Sequence, residues 1–165
     1  MLILRATRKL LDRIGSPTLC DDDRSTTVLG EWYAAALTWR PQVALLVNES
    51  TLLPVLMPLA PAATLPARAG EHIAKVLTAH AVPDTIIAVE LRNMRDYRVA
   101  TTTDRSVVGI MNEFRHLADV YRGHEPRPDL VGLALRLAGT PCSPLYHRNI
   151  RPDRELAAYL RTAAP

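Results

Sequence analysis

Apolar residues open the chain as a short unbroken block, Leu2-Ile3-Leu4, closed by Arg5. A run of this length bounded by polar residues reads as a buried strand. Thr7 stands where a helix N-cap belongs, and Leu10, Leu11 and Ile14 fall at helical spacing before Gly15-Ser16-Pro17 ends the pattern. Residues 29–39, rich in alanine and aromatic side chains, predict a second strand. Residues 42–47 and 52–59 predict a hairpin around the turn Asn48-Glu49-Ser50-Thr51.

Helical spacing returns after Pro66, where Ile73, Val76 and Leu77 share a face, and Pro83 opens another helix reaching about Leu91. These two helices are expected to cover one face of the sheet. Residues 98–102 are rich in threonine and predict a strand. Beyond them Val107, Ile110, Met111, Phe114, Ala118 and Tyr121 form the longest helical stripe in the chain. Residues 123–129 read as a linker, followed by helices over about 130–138 and 153–161, the second begun by Pro152. The expected fold is α+β, with a mostly antiparallel sheet of about five strands covered by helices and a helical C-terminal extension. The division is 1–122 for the α+β domain and 123–165 for the extension, packed on that domain or on a partner.

Composition narrows the picture only in part. A chain of 165 residues has room for one core. Its net charge of +3 is uneven: residues 1–90 hold 8 Lys/Arg against 9 Asp/Glu, residues 91–165 hold 12 against 8. That basic half admits a nucleic-acid partner, although a basic stripe without interleaved aromatics is more often a solvated face. The longest apolar region, 43–63, is interrupted by Asn48-Glu49-Ser50-Thr51 and by Pro54, Pro58 and Pro61. It therefore argues for two strands and against a membrane span. The first residues carry no long apolar segment of the secretory kind, which points to a cytoplasmic protein. Cys20 and Cys142 lie far apart without C-x-x-C spacing, so neither a zinc site nor a disulfide framework is expected. No cofactor or metal is expected, and the phosphate-loop, dinucleotide, nucleophile-elbow and zinc-protease patterns are missing.

Candidate chemistry gathers around two helix starts. On a helical wheel Arg105, Asn112 and His116 lie opposite the Val107/Ile110/Met111/Phe114 stripe, with Gly109 beside them. Glycine inside a helix costs about 1 kcal/mol relative to alanine, so Gly109 hints at close approach by a ligand or backbone, or at simple tolerance. Free N–H groups at this helix start, with Arg105 and Ser106, would suit an anion. Thr7, Arg8 and Lys9 offer a second such end. Were the preceding strands parallel neighbours, both ends would face one edge and share a ligand. Against this, Thr7 and either Thr103 or Asp104 serve equally as ordinary N-caps. Asn48 in its turn is a further candidate. Cys142 with His147 five residues on is a weaker one, since nearness in sequence supplies no geometry.

Three stretches carry a resemblance: Leu-Ile-Leu-Arg-Ala-Thr-Arg-Lys-Leu-Leu at the start; the block from Glu31-Trp32-Tyr33-Ala34 to Leu45-Leu46-Val47-Asn48; and Asp104-Arg105-Ser106-Val107-Val108-Gly109-Ile110-Met111-Asn112. Over about residues 1–118 the chain resembles an uncharacterised bacterial domain family, found as small stand-alone proteins and within plasmid-type open-reading-frame proteins. The resemblance implies an intracellular bacterial setting and raises Lys9, Asn48, Arg105, Ser106 and Asn112 as site residues. The resulting expectation is a non-enzymatic binding or accessory protein recognising a nucleic acid, nucleotide or protein partner over Thr7–Lys9 and residues 105–116. The alternative is a small phosphate-handling enzyme or toxin in which Arg105 and Ser106 hold the anion and His116 moves a proton. The apolar helix Leu-Val-Gly-Leu-Ala-Leu-Arg-Leu from Leu130 needs a cover, which leaves a homo-oligomer open.

Overall fold

Five strands build one sheet: β1 (Leu2–Ala6), β2 (Trp32–Leu37), β3 (Val43–Asn48), β4 (Pro54–Pro58) and β5 (Tyr97–Thr101), in the spatial order β4-β3-β2-β1-β5. The structure is a computed structural model that describes residues 1–124, 127, 129–142 and 151–163. Its helices are α1 (Arg8–Ile14), α2 (Leu65–Ala79), α3 (Asp84–Asn93), α4 (Arg105–His124), α5 (Leu130–Ala138) and α6 (Pro152–Ala163). The α+β class and the five strands agree with the sequence pattern. The pairing, however, is evenly mixed and not mostly antiparallel: β1 lies parallel to both β2 and β5, while β3 is antiparallel to β2 and β4. Unbroken apolar runs such as Leu2-Ile3-Leu4 suit strands buried on both faces, the environment of parallel pairs, and periodicity carries no strand direction.

Side chains alternate across a sheet, so Leu4 shares a face with Trp32 and Val99, and Arg5 shares the other with Tyr33 and Ala100. Helix α4 covers the Arg5/Tyr33 face over β2 and β3. Its stripe Val107, Ile110, Met111, Phe114 and Ala118 is buried there, as its spacing predicts. Phe114, the one phenylalanine of the chain, is fully enclosed. Truncating such a side chain to alanine costs about 3–5 kcal/mol.

Helix α2 packs on β4 and β5, whereas α3 packs chiefly on α2, so only the first of the expected pair covers the sheet directly. Their approach is close: a Cβ added at Gly70 of α2 would come within 3.3 Å of Met94 at the end of α3. Helix α5 lies against β4, the edge strand, and touches α2, α4 and α6. Leu133, Ala134, Leu137 and Ala138 are thereby buried. The apolar helix that left an oligomer open finds its cover within the chain. Tyr159 of α6 donates its hydroxyl hydrogen to the Val28 carbonyl at 3.0 Å, tying the last helix to the segment before β2. Helix α4 runs on through His124, two residues into the stretch read as a linker.

Candidate functional site

Because β1 and β5 are parallel neighbours, with Ala6 beside Thr101, the helices that follow them begin at the same sheet edge. The condition under which the two helix starts would share a ligand is thus met by the topology. Thr7 stands at the N-cap of α1 in extended geometry, but its side chain makes no capping bond. Its backbone N–H donates to the Ala34 carbonyl at 2.9 Å, and its carbonyl accepts from Leu10 and Leu11. Lys9 is exposed, and Arg8 pairs with Asp12 one turn on, at 3.4 Å and largely in solvent.

The start of α4 is arranged differently from the free anion cradle that the sequence suggests. Asp104 accepts both the backbone N–H of Ser106 at 2.7 Å and its hydroxyl hydrogen at 2.6 Å. These bonds hold the Asp104 carboxyl below its ordinary range, the Ser106 hydroxyl being the largest cause. A carboxylate of the chain itself therefore sits on the positive end of the helix, where it is favoured. Arg105 and Ser106 are exposed beside it. Asn112 and His116 are exposed further along the same helix, opposite the buried stripe, as the helical wheel requires. Gly109 has open space where a side chain would stand, so no neighbouring backbone accounts for it.

Asn48 is placed elsewhere and used otherwise. It is completely buried. Its amide donates to the Leu29 carbonyl at 2.9 Å and the Glu31 carbonyl at 3.1 Å, and its oxygen accepts from Ser50, Thr51 and the Thr51 hydroxyl. Every polar atom of the side chain is thus engaged in closing the β3–β4 turn and fixing the entry to β2.

Between these points lies a polar cluster that sequence reading did not assemble. Arg5 bonds the Glu31 carboxylate through Nε and donates to the Thr101 carbonyl at 3.2 Å. The Tyr33 hydroxyl lies 3.2 Å from the Thr103 hydroxyl and accepts the Asp104 N–H at 3.2 Å. Glu49 stands opposite Glu31, its N–H donating to the Glu31 carbonyl. Burial first, then the Glu31 carboxylate, push the Glu49 carboxyl above its usual range; Asp104 adds to this, while Arg5 and Tyr33 oppose it. One signal was visible beforehand, a lone arginine in an otherwise apolar strand. That Glu31 and Glu49 oppose each other appears only once the register of β2 and β3 is known.

Cys142 is buried, and its thiol is pushed up to about 12 by that burial, with Glu113 adding to the effect. It is an inert thiol. His147 lies outside the described residues. Among the described residues no group of three or more His, Cys, Asp or Glu side chains is placed to hold a metal ion. No helix among them is long and apolar enough to cross a membrane.

A family model described as a domain of unknown function, DUF6933, matches residues 3–155. The chain belongs to this family. The match agrees with the resemblance to an uncharacterised domain family and runs past residue 118, through α5 and into α6. No curated protein and no solved structure matches the chain. In this DUF6933 member, therefore, function has to be argued from the residues themselves.

Proposed function

We propose that this DUF6933 protein is a non-enzymatic binding protein that recognises a nucleic acid over the start of α1 and the outer face of α4. The observation that carries the reading is a set of cationic side chains, Lys9, Arg105 and Arg115, with the polar His116 beside Arg115, all exposed. Among the described residues none of them has a carboxylate at ion-pair distance. Elsewhere on the sheet the basic groups are engaged: Arg5 with Glu31, Arg98 with Asp23. Unpaired surface cations attract a polyanion by releasing its condensed counterions.

The phosphate-handling alternative, with Arg105 and Ser106 holding the anion, is the less favoured reading of the α4 start. There the Ser106 hydroxyl hydrogen is already given to the Asp104 carboxylate and is not free for a phosphate held at the helix start.

The reading is tested with a fluorescein-labelled oligodeoxythymidylate of about twelve nucleotides, near the footprint of a small single-strand binder. Anisotropy titration is expected to give binding that an Arg105→Ala/Asn112→Ala variant, folded as judged by circular dichroism, weakens at least about tenfold, or roughly 1.4 kcal/mol. Equal affinity of the folded variant would overturn the reading. Binding of an acidic protein with no affinity for the oligonucleotide would replace it.

A further inference from the structure

At the far end of α4 a second site opens, lined by the β2–β3 connection, the end of β4 and the start of α5. It encloses about 430 Å³, within the range of sites that take small organic molecules. Trp39, Val43, Pro58 and Leu130 supply apolar walls, and Arg40, Arg122 and Arg127 stand around them. Trp39 is held firmly: its indole N–H donates to the Asp119 carboxylate at 2.6 Å. The Arg122 guanidinium lies over the indole, 5.1 Å from the ring centroid, and donates to the Arg40 carbonyl at 3.4 Å. Among the described residues the nearby carboxylates are engaged, Asp119 by the indole and Asp129 by the N–H groups of Val131 and Gly132 at the start of α5. Among the described residues none of the three arginines has a carboxylate at ion-pair distance.

A largely apolar pocket whose charged lining residues are all arginines, with Gln42 as the neutral polar one, selects its ligand by charge as well as by shape. We infer that this pocket binds a small organic anion, with a flat apolar body against Trp39, Val43 and Leu130 and a carboxylate or phosphate head at Arg40 and Arg127. Guanidinium groups hold either head through paired N–H donors. The volume admits a body of one or two rings and leaves no room for a folded partner. The inference is independent of the nucleic-acid reading, since it uses none of Lys9, Arg105, Asn112 or His116.

The test is calorimetric titration of the intact chain with 2-naphthoate, 2-naphthyl phosphate and the neutral 2-naphthalenemethanol. At least one anion is expected to bind one to one, at least about tenfold tighter than the alcohol, a difference of roughly 1.4 kcal/mol. Which anion is tighter identifies the head group. Arg40 and Arg127 are exposed, so Arg40→Ala/Arg127→Ala should fold normally and lose that preference, while Lys9→Ala/Arg105→Ala keeps it. Equal affinity for alcohol and anions, no binding of either anion, or anion binding undiminished in Arg40→Ala/Arg127→Ala would each overturn the inference.

Discussion

The carboxylate of Asp104 holds Ser106 twice, through the backbone N–H at 2.7 Å and through the hydroxyl at 2.6 Å. This is an N-cap whose loss costs about 1 kcal/mol. Asp104→Ala should therefore lower stability by about that amount at neutral pH. The folded Asp104 carboxyl lies below its unfolded range, so its contribution is present above about pH 4 and fades as pH falls through the folded value. Urea titrations from pH 7 to pH 3 should show the gap between wild type and Asp104→Ala closing toward acid. A gap that stays constant would mean the carboxylate is not the stabilising species.

Glu90 offers the opposite sign. It is 1% exposed and accepts the N–H groups of Val28 at 2.5 Å and Leu29 at 3.1 Å. Burial pushes its carboxyl above the usual range despite these two bonds. A carboxyl raised by folding stabilises most while protonated, and that contribution fades as pH rises through the folded value. Glu90→Gln removes the charge at nearly constant volume. Its stability relative to wild type should improve as pH rises from about 4 to 7. Glu90→Ala leaves two N–H groups without partners and should lose about 2–4 kcal/mol. Chemical denaturation of both variants checks the pair of expectations.

Asn48 separates a structural from a ligand role by its stability effect. With its amide shared between two carbonyls and its oxygen among three donors, Asn48→Ala should cost about 2–4 kcal/mol. A variant of unchanged melting temperature would show that these bonds contribute nothing to the fold.

The two cysteines should differ sharply in reactivity. Cys20 is exposed and Cys142 buried, with the latter's thiol pushed up to about 12. Ellman's reagent at pH 8 is expected to modify Cys20 alone in the native protein and both thiols in denaturant. Rapid labelling of Cys142 in the native state would contradict its burial beside α4.

Much of the architecture was legible because the core is written in periodicity. The α4 stripe from Val107 to Ala118, the Asn48 turn and the helix Leu130–Ala138 all emerge where the spacing puts them. Strand direction was not legible, since Leu2-Ile3-Leu4 reads the same whether its neighbours run with it or against it. Of the site, the exposed face carrying Arg105, Asn112 and His116 follows from the helical wheel. The Asp104 carboxylate at the helix start was one of two cap readings, and only geometry selects it. The strand predicted over residues 29–39 ends at Leu37, which leaves Trp39 in the connection to β3. Its bond to Asp119 and its place under Arg122 join residues some eighty positions apart, which no local pattern encodes.

The central claim is that unpaired cations on α1 and α4 bind a nucleic-acid backbone, and salt dependence measures this most directly. The oligodeoxythymidylate is titrated at a series of salt concentrations with wild type and with Arg105→Ala. Each phosphate contact contributes about 0.7 to the slope of log affinity against log salt for a single strand. The account predicts a steep slope for the wild type that falls by about 0.7 in the variant. A salt-independent affinity, or a slope unchanged by the loss of Arg105, would contradict it.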